Sequence, residues 1–191
     1  MKSLPTLKFL KEDTRGVSTV VGFIFIFAIL MILLSINQAQ FVPQENSQVE
    51  FQHFQDVRND MARVHAAISE AGQADVDQYP TVTLGTTYPP RIFAVNPPPP
   101  SGTLSSSQPY NISIINQTGA EAENVSTRFL EYQNGYNEMD IGSIWYENSV
   151  LYLDERANGG GVAVYENQGI IRNNSKARIT AFQKEFQESG T

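Results

Sequence analysis

The chain has 191 residues, a formal net charge of −7 and no cysteine. Its length allows one modest globular domain beyond an anchor. The absence of cysteine excludes disulfides, thiolate metal sites and cysteine catalysis, and the acidic balance argues against nucleic acid, whose phosphates demand a basic patch.

Residues 1–16 form a charged leader in which Lys2, Lys8, Lys11 and Arg15 outnumber Glu12 and Asp13. An uncharged apolar run follows at once, from Val17 to Ile36, and the next charge is Glu45. That run matches the roughly 20 residues a helix needs to cross a bilayer. A secretory signal peptide would have a shorter apolar core, of about 7–15 residues, and a small-residue cleavage site. Here only Ala39 offers one, weakly, in Asn37-Gln38-Ala39-Gln40-Phe41. The positive-inside rule keeps the leader cytoplasmic and places the chain from about Asn37 outside. No later stretch is as long and apolar. The expected location is the cell membrane, single-pass, with the N-terminus cytoplasmic and the C-terminal domain extracellular.

The junction Arg15-Gly16-Val17-Ser18-Thr19-Val20-Val21-Gly22 resembles the class III signal peptides of archaeal type IV pilin-like proteins. In that family a prepilin peptidase cuts after the small residue that follows a basic one. The resemblance implies a cut between Gly16 and Val17, leaving the whole apolar run in the mature protein. One departure is present: bacterial type IV pilins carry Glu at the fifth mature position, where this chain has Val21, as archaeal relatives commonly do without it.

Removal of residues 1–16 takes away four positive and two negative charges and leaves −9, with only Lys176 and Lys184 as lysines. Such a surface suits high salt and disfavours anionic lipid. Four N-x-[ST] sequons follow the apolar run, at Asn111, Asn116, Asn124 and Asn173. These are candidate glycosylation sites on the outer side, set against unmodified polar loop residues.

Pro43 lacks a backbone N–H and is expected to kink or stop a helix. Beyond it, Phe54, Val57, Met61, Val64 and Ile68 recur at spacings of 3 and 4, an amphipathic stripe. Gly72 is the expected C-terminal stop. Joined through Pro43, Val17–Ala71 would make one helix of roughly 80 Å. Type IV pilins have this shape, a stalk that packs among neighbours and then lies on a head. An anchor followed by a separate juxtamembrane helix would show the same periodicity.

Past Gly72 prolines accumulate, and Pro97–Pro100 favour polyproline II, read as a stiff spacer. Strand-like runs are expected at 82–84, 91–95, 111–115, 126–132, 144–146, 150–153, 162–165, 169–171 and 177–182. Asn134-Gly135, Asn158-Gly159 and Asn173-Asn174 are turn signals. Ile144–Val150 and Ala163–Gly169 share a Tyr-Glu-Asn core, each read as a strand entering a turn. The fold class is therefore α+β: leader 1–16, transmembrane or assembly helix 17–36, amphipathic stalk helix 37–72 and a mostly antiparallel β head over 73–191. The segment Tyr88–Thr103, with Tyr136-Asn-Glu and Tyr146–Tyr152, resembles uncharacterised haloarchaeal membrane proteins with a pilin-like N-terminus. Members of that group are often longer, which implies a short form or an N-terminal part.

Chemistry is sparse. His53 and His65 differ by about 120° around a helix and about 18 Å along it, so they cannot share a metal. Both read as exposed polar-face residues. No zinc-protease, nucleophile-elbow or phosphate-cradling motif occurs. Glu121/Glu123 and Asp154-Glu155 lack the spacing of a Ca²⁺ loop. Trp145 and Tyr132, Tyr136, Tyr146, Tyr152 and Tyr165 are expected to pack the β core. The expectation is thus no enzyme, no metal and no cofactor. The chain reads as a membrane-inserted pilin-like subunit or surface protein whose partners are the membrane, a prepilin peptidase and further copies through the N-terminal helix. The alternative is a monomeric extracellular binding protein on an uncleaved signal anchor.

Overall fold

The computed structural model describes residues 14–74, 76–115, 119, 121–167, 171–173 and 176–178. A long helical segment comes first, and antiparallel strands follow. The segment comprises helix α1 (Thr14–Ile36), a π turn (Asn37–Phe41) and helix α2 (Val42–Ala74). Large apolar side chains are exposed along α1, with Phe23 69% and Phe25 65% accessible. A helix satisfies every interior backbone N–H and C=O within itself, which an apolar solvent requires. Ser35 follows the same rule, its hydroxyl donating to the Met31 carbonyl at 2.8 Å.

Pro43 does not stop the helix, and of the two readings the helix joined through Pro43 is the one observed. Immediately before Pro43 the backbone widens, and the Val42 N–H bonds back to the Asn37 carbonyl, five residues earlier. A wider turn gives the pyrrolidine ring room and absorbs the missing donor. Gly72 does not terminate α2 either. The helix runs to Ala74, and the Gln73 side chain donates to the Ser69 carbonyl at 3.0 Å.

Two compact units are present. The first holds residues up to Glu45 together with Pro89–Asn96. There Gln38 makes two hydrogen bonds to one residue: its Nε2 donates to the Val95 carbonyl at 2.7 Å, and the Val95 N–H donates to its Oε1 at 2.9 Å. Arg91 pairs with Glu45 at 2.9 Å and also bonds Asn96. Residues 91–95 were expected as a strand and form none. Prolines flank them on both sides, and their backbone meets a side-chain amide rather than a neighbouring strand.

The second unit comprises Asn46–Tyr88 and the chain from Pro97 on. Nine strands are described: β1 (Thr103–Ser106), β2 (Tyr110–Ile115), β3 (Glu121–Thr127), β4 (Leu130–Gln133), β5 (Ser143–Glu147), β6 (Val150–Asp154), β7 (Val162–Glu166), β8 (Ile171–Asn173) and β9 (Lys176–Arg178). An antiparallel sheet takes the order β1-β4-β5-β6-β7, and β2–β3 and β8–β9 are two-stranded ribbons. The run 126–132 is two strands, broken at Arg128-Phe129. Residues 82–84 form no strand, since the Thr83 N–H bonds the Asp60 carboxylate at 2.9 Å and Gly85 makes only an isolated bridge to Ser101. Between β5 and β6 the expected turn is present, with Asn148 and Ser149 both at positive φ, as a two-residue hairpin requires.

Strand alternation sets the core. Leu130 and Tyr132 of β4, Ile144 and Tyr146 of β5, and Leu151 and Leu153 of β6 lie buried with Phe54, Val57, Met61 and Val64 of α2. Tyr136 and Tyr165 pack partly against this core. Trp145 and Tyr152 do not join it. They pair across β5 and β6 on the other pleat and stack with centroids 6.4 Å apart.

Candidate functional site

The Gly16–Val17 peptide bond, where the sequence resemblance implies a cut, lies in the first turn of α1. Side chains up to residue 18 lie outside the described residues. By length and composition, the apolar helix near the N-terminus can cross a membrane once.

Two sequons share one ribbon. In the β2–β3 register Asn111 pairs with Ser126 and Ser113 with Asn124, so the asparagine of each motif pairs with the hydroxyl residue of the other. All four side chains are exposed, and residues two positions apart along a strand point to the same face. The Ser113 hydroxyl donates to Glu121 at 2.6 Å. Asn116 and the side chain of Asn173 lie outside the described residues.

The densest polar constellation went unread in the sequence. Glu50, on α2, is fully buried. Its carboxylate accepts the N–H groups of Asn137 at 2.8 Å, Glu138 at 3.1 Å and Met139 at 2.9 Å, together with the Tyr88 hydroxyl. Asn137 also donates through Nδ2 to the Tyr88 oxygen and the Pro98 carbonyl, both at 2.9 Å. Burial, with Glu50 beside it, pushes the Tyr88 hydroxyl up to about 12. With its acceptor positions taken by donors from the protein itself, the Glu50 carboxylate clasps the 137–139 loop and has little left for a substrate. The tetraproline run contributes acceptors here, as a stiff spacer with its carbonyls free to receive donors.

His53 lies one turn further along α2, buried rather than exposed as expected. Its Nδ1 stands 2.8 Å from the Tyr136 hydroxyl, and the two rings meet edge-on. Burial pushes this imidazole below its ordinary value. His65 is half-buried, its ring centroid 5.6 Å from that of Tyr146. The sequence pattern held a signal for the buried polar group. Counting back from Val57 in steps of 4 and 3 gives His53, Glu50 and Asn46, all buried. The buried stripe of α2 is continuous; only its chemistry changes from polar to apolar.

The acidic candidates serve local structure. Asp154 pairs with Arg156 at 2.6 Å, and those hydrogen bonds hold its carboxyl down at about 2. Among the described residues, no group of three or more His, Asp or Glu side chains could hold a metal ion.

No family model matches the chain, and no solved structure does. An uncharacterized protein of Archaeoglobus fulgidus is 30% identical over 146 residues, which cover 73% of this chain and 25% of the relative. The chain thus spans about a quarter of the length of the curated relative it matches.

Proposed function

We propose that the chain is a membrane-inserted, type IV pilin-like structural subunit of an archaeal cell surface. A prepilin peptidase frees Val17 by cutting after Gly16, and the helix then tethers a β-rich head outside the cell or packs against the helices of further copies. The observation that carries this reading is the apolar surface of α1, exposed along the helix, which leads through the π turn into α2 without a break. Neighbouring helices or lipid would cover that surface, and burial of each large side chain stabilises by about 1.5–3 kcal/mol. The charged-to-apolar junction at Arg15-Gly16-Val17 supports the same reading, and the relative from Archaeoglobus fulgidus supports its archaeal setting alone.

A second reading keeps the anchor uncut and presents the head as a monomer that binds a ligand. An acidic aromatic cleft on the head favours it. Mass spectrometry of the membrane-associated protein separates the two. A mature N-terminus at Val17 is the expected result, and an intact leader overturns the processing step. Recovery in fibres sheared from cells supports assembly, and retention wholly in membranes supports the monomer.

A further inference from the structure

Beside the sheet, Ser107, Gln108, Pro109, Tyr110, Phe129 and Glu147 line an open cleft of about 510 Å³. Its wall is fixed by paired bonds. The Ser107 N–H donates to the Phe129 carbonyl at 3.0 Å, and the Phe129 N–H donates to the Ser107 hydroxyl at 3.0 Å. The rings of Tyr110 and Phe129 stand 6.3 Å apart, and Phe129 packs 4.9 Å from Trp145. The Glu147 carboxylate accepts the Tyr110 hydroxyl at 3.1 Å and the Tyr152 hydroxyl at 3.3 Å. Burial and this carboxylate push both phenols up, Tyr152 to about 12, so both remain neutral donors. Among the described residues the ion pairs are Arg63–Asp60, Arg91–Glu45 and Arg156–Asp154, and Glu147 belongs to none of them.

We propose that this cleft binds an organic cation, an alkylammonium or guanidinium group, with Glu147 as its counter-charge and the Tyr110 and Phe129 rings as its walls. Aromatic faces carry negative potential and attract such cations, whose alkyl periphery also suits an apolar wall. A neutral apolar occupant would strip water from the carboxylate and return no charge. A metal ion such as Ca²⁺ seeks six to eight oxygens and would leave both rings without a role. An anion would be repelled by Glu147 in a chain that already stands at −7. The cation has two sources, a free organic ammonium or a Lys or Arg side chain of a partner protein.

Trp145 is the only tryptophan, so its fluorescence reports on the Phe129 wall. Full-length protein in a non-ionic detergent is titrated at low ionic strength with choline, with its neutral isostere 3,3-dimethylbutanol, and with blocked lysine and arginine peptides. Saturable binding of a cation, at least about tenfold tighter than the isostere, is expected. Glu147→Gln should weaken it by about tenfold or more, and Tyr110→Phe, which retains the ring and releases the carboxylate, should preserve it. Tighter binding of choline identifies a free ammonium as the source; tighter binding of the peptides identifies a partner side chain. Equal binding of the neutral isostere, undiminished binding by a folded Glu147→Gln protein, or no saturable response to any cation overturns the proposal.

Discussion

Met139 donates its amide N–H to Oε2 of Glu50 across 2.9 Å, although the two residues stand 89 positions apart. The bond ties the loop between β4 and β5 to α2, within the unit that carries the sheet. Glu50→Ala should leave three loop N–H groups and the Tyr88 hydroxyl without their acceptor. The expected loss is about 3–5 kcal/mol, since buried donors left unpaired cost about 1–3 kcal/mol each and partly relax towards water. Glu50→Gln retains one acceptor oxygen and should cost less. Chemical denaturation of the two variants checks the order, and equal stability of Glu50→Ala and wild type would exclude the clasp.

His53 should make stability depend on pH near neutrality. Its folded-state value is pushed below 6.5, chiefly by burial, against the opposite pull of the Thr83 backbone, Asp56 and Asp60. As pH falls, the unfolded chain therefore takes up the proton first. The stabilisation is whole above the unfolded value of about 6.5 and is lost as the pH falls towards the folded one. Wild type should unfold more readily at about pH 5.5 than at about pH 7.5, and His53→Gln should show a smaller difference. An unchanged difference in the variant would count against His53 as the source.

Met61 is fully buried among Val57, Val64 and the sheet residues. Met61→Ala should cost about 2–5 kcal/mol of head stability, through lost transfer energy and the cavity left behind. Differential scanning calorimetry reads this as a lowered Tm.

Glycine positions offer a matched pair. A Cβ on Gly142 would collide with the Asp154 carbonyl oxygen, where β5 begins its pairing with β6. A Cβ on Gly161 would meet nothing within 4 Å. Gly142→Ala should destabilise by about 1–3 kcal/mol, as overpacking does, and Gly161→Ala should stay within about 0.5 kcal/mol of wild type. Similar midpoints for both variants would refute the distinction.

Gly16→Leu should leave the precursor uncut, because a bulky residue then precedes the scissile bond. Accumulation of the longer species on a denaturing gel is the expected outcome, and normal maturation of this variant would remove Gly16 as a recognition element.

The α+β order and the stripe Phe54–Val57–Met61–Val64 were legible because burial leaves a period of 3.6 in apolar residues. Strands β5 and β6 were legible for the matching reason at period 2. Glu50 was not, because a periodic search for apolar residues passes over a carboxylate even when it occupies the next position of the same stripe. Strand β3, Glu-Ala-Glu-Asn-Val-Ser-Thr, has weak strand propensity, and only its pairing with β2 makes it a strand. The run 91–95 failed for the opposite reason: β-branched and aromatic residues were present, and no strand among the described residues pairs with it. The proposed processing site at Gly16 and Val17 rests on a local motif, and the aromatic cleft depends on residues brought together from three separate segments.

The paired bonds between Gln38 and Val95 carry a chemical consequence. A primary amide offers one donor and one acceptor, as a peptide group does, so a helix side chain here stands in for a length of strand edge. Hydrolysis of that amide to a carboxylate would replace the donor facing the Val95 carbonyl with a second acceptor. One of the two bonds would then be lost, and the charge would set two acceptors face to face.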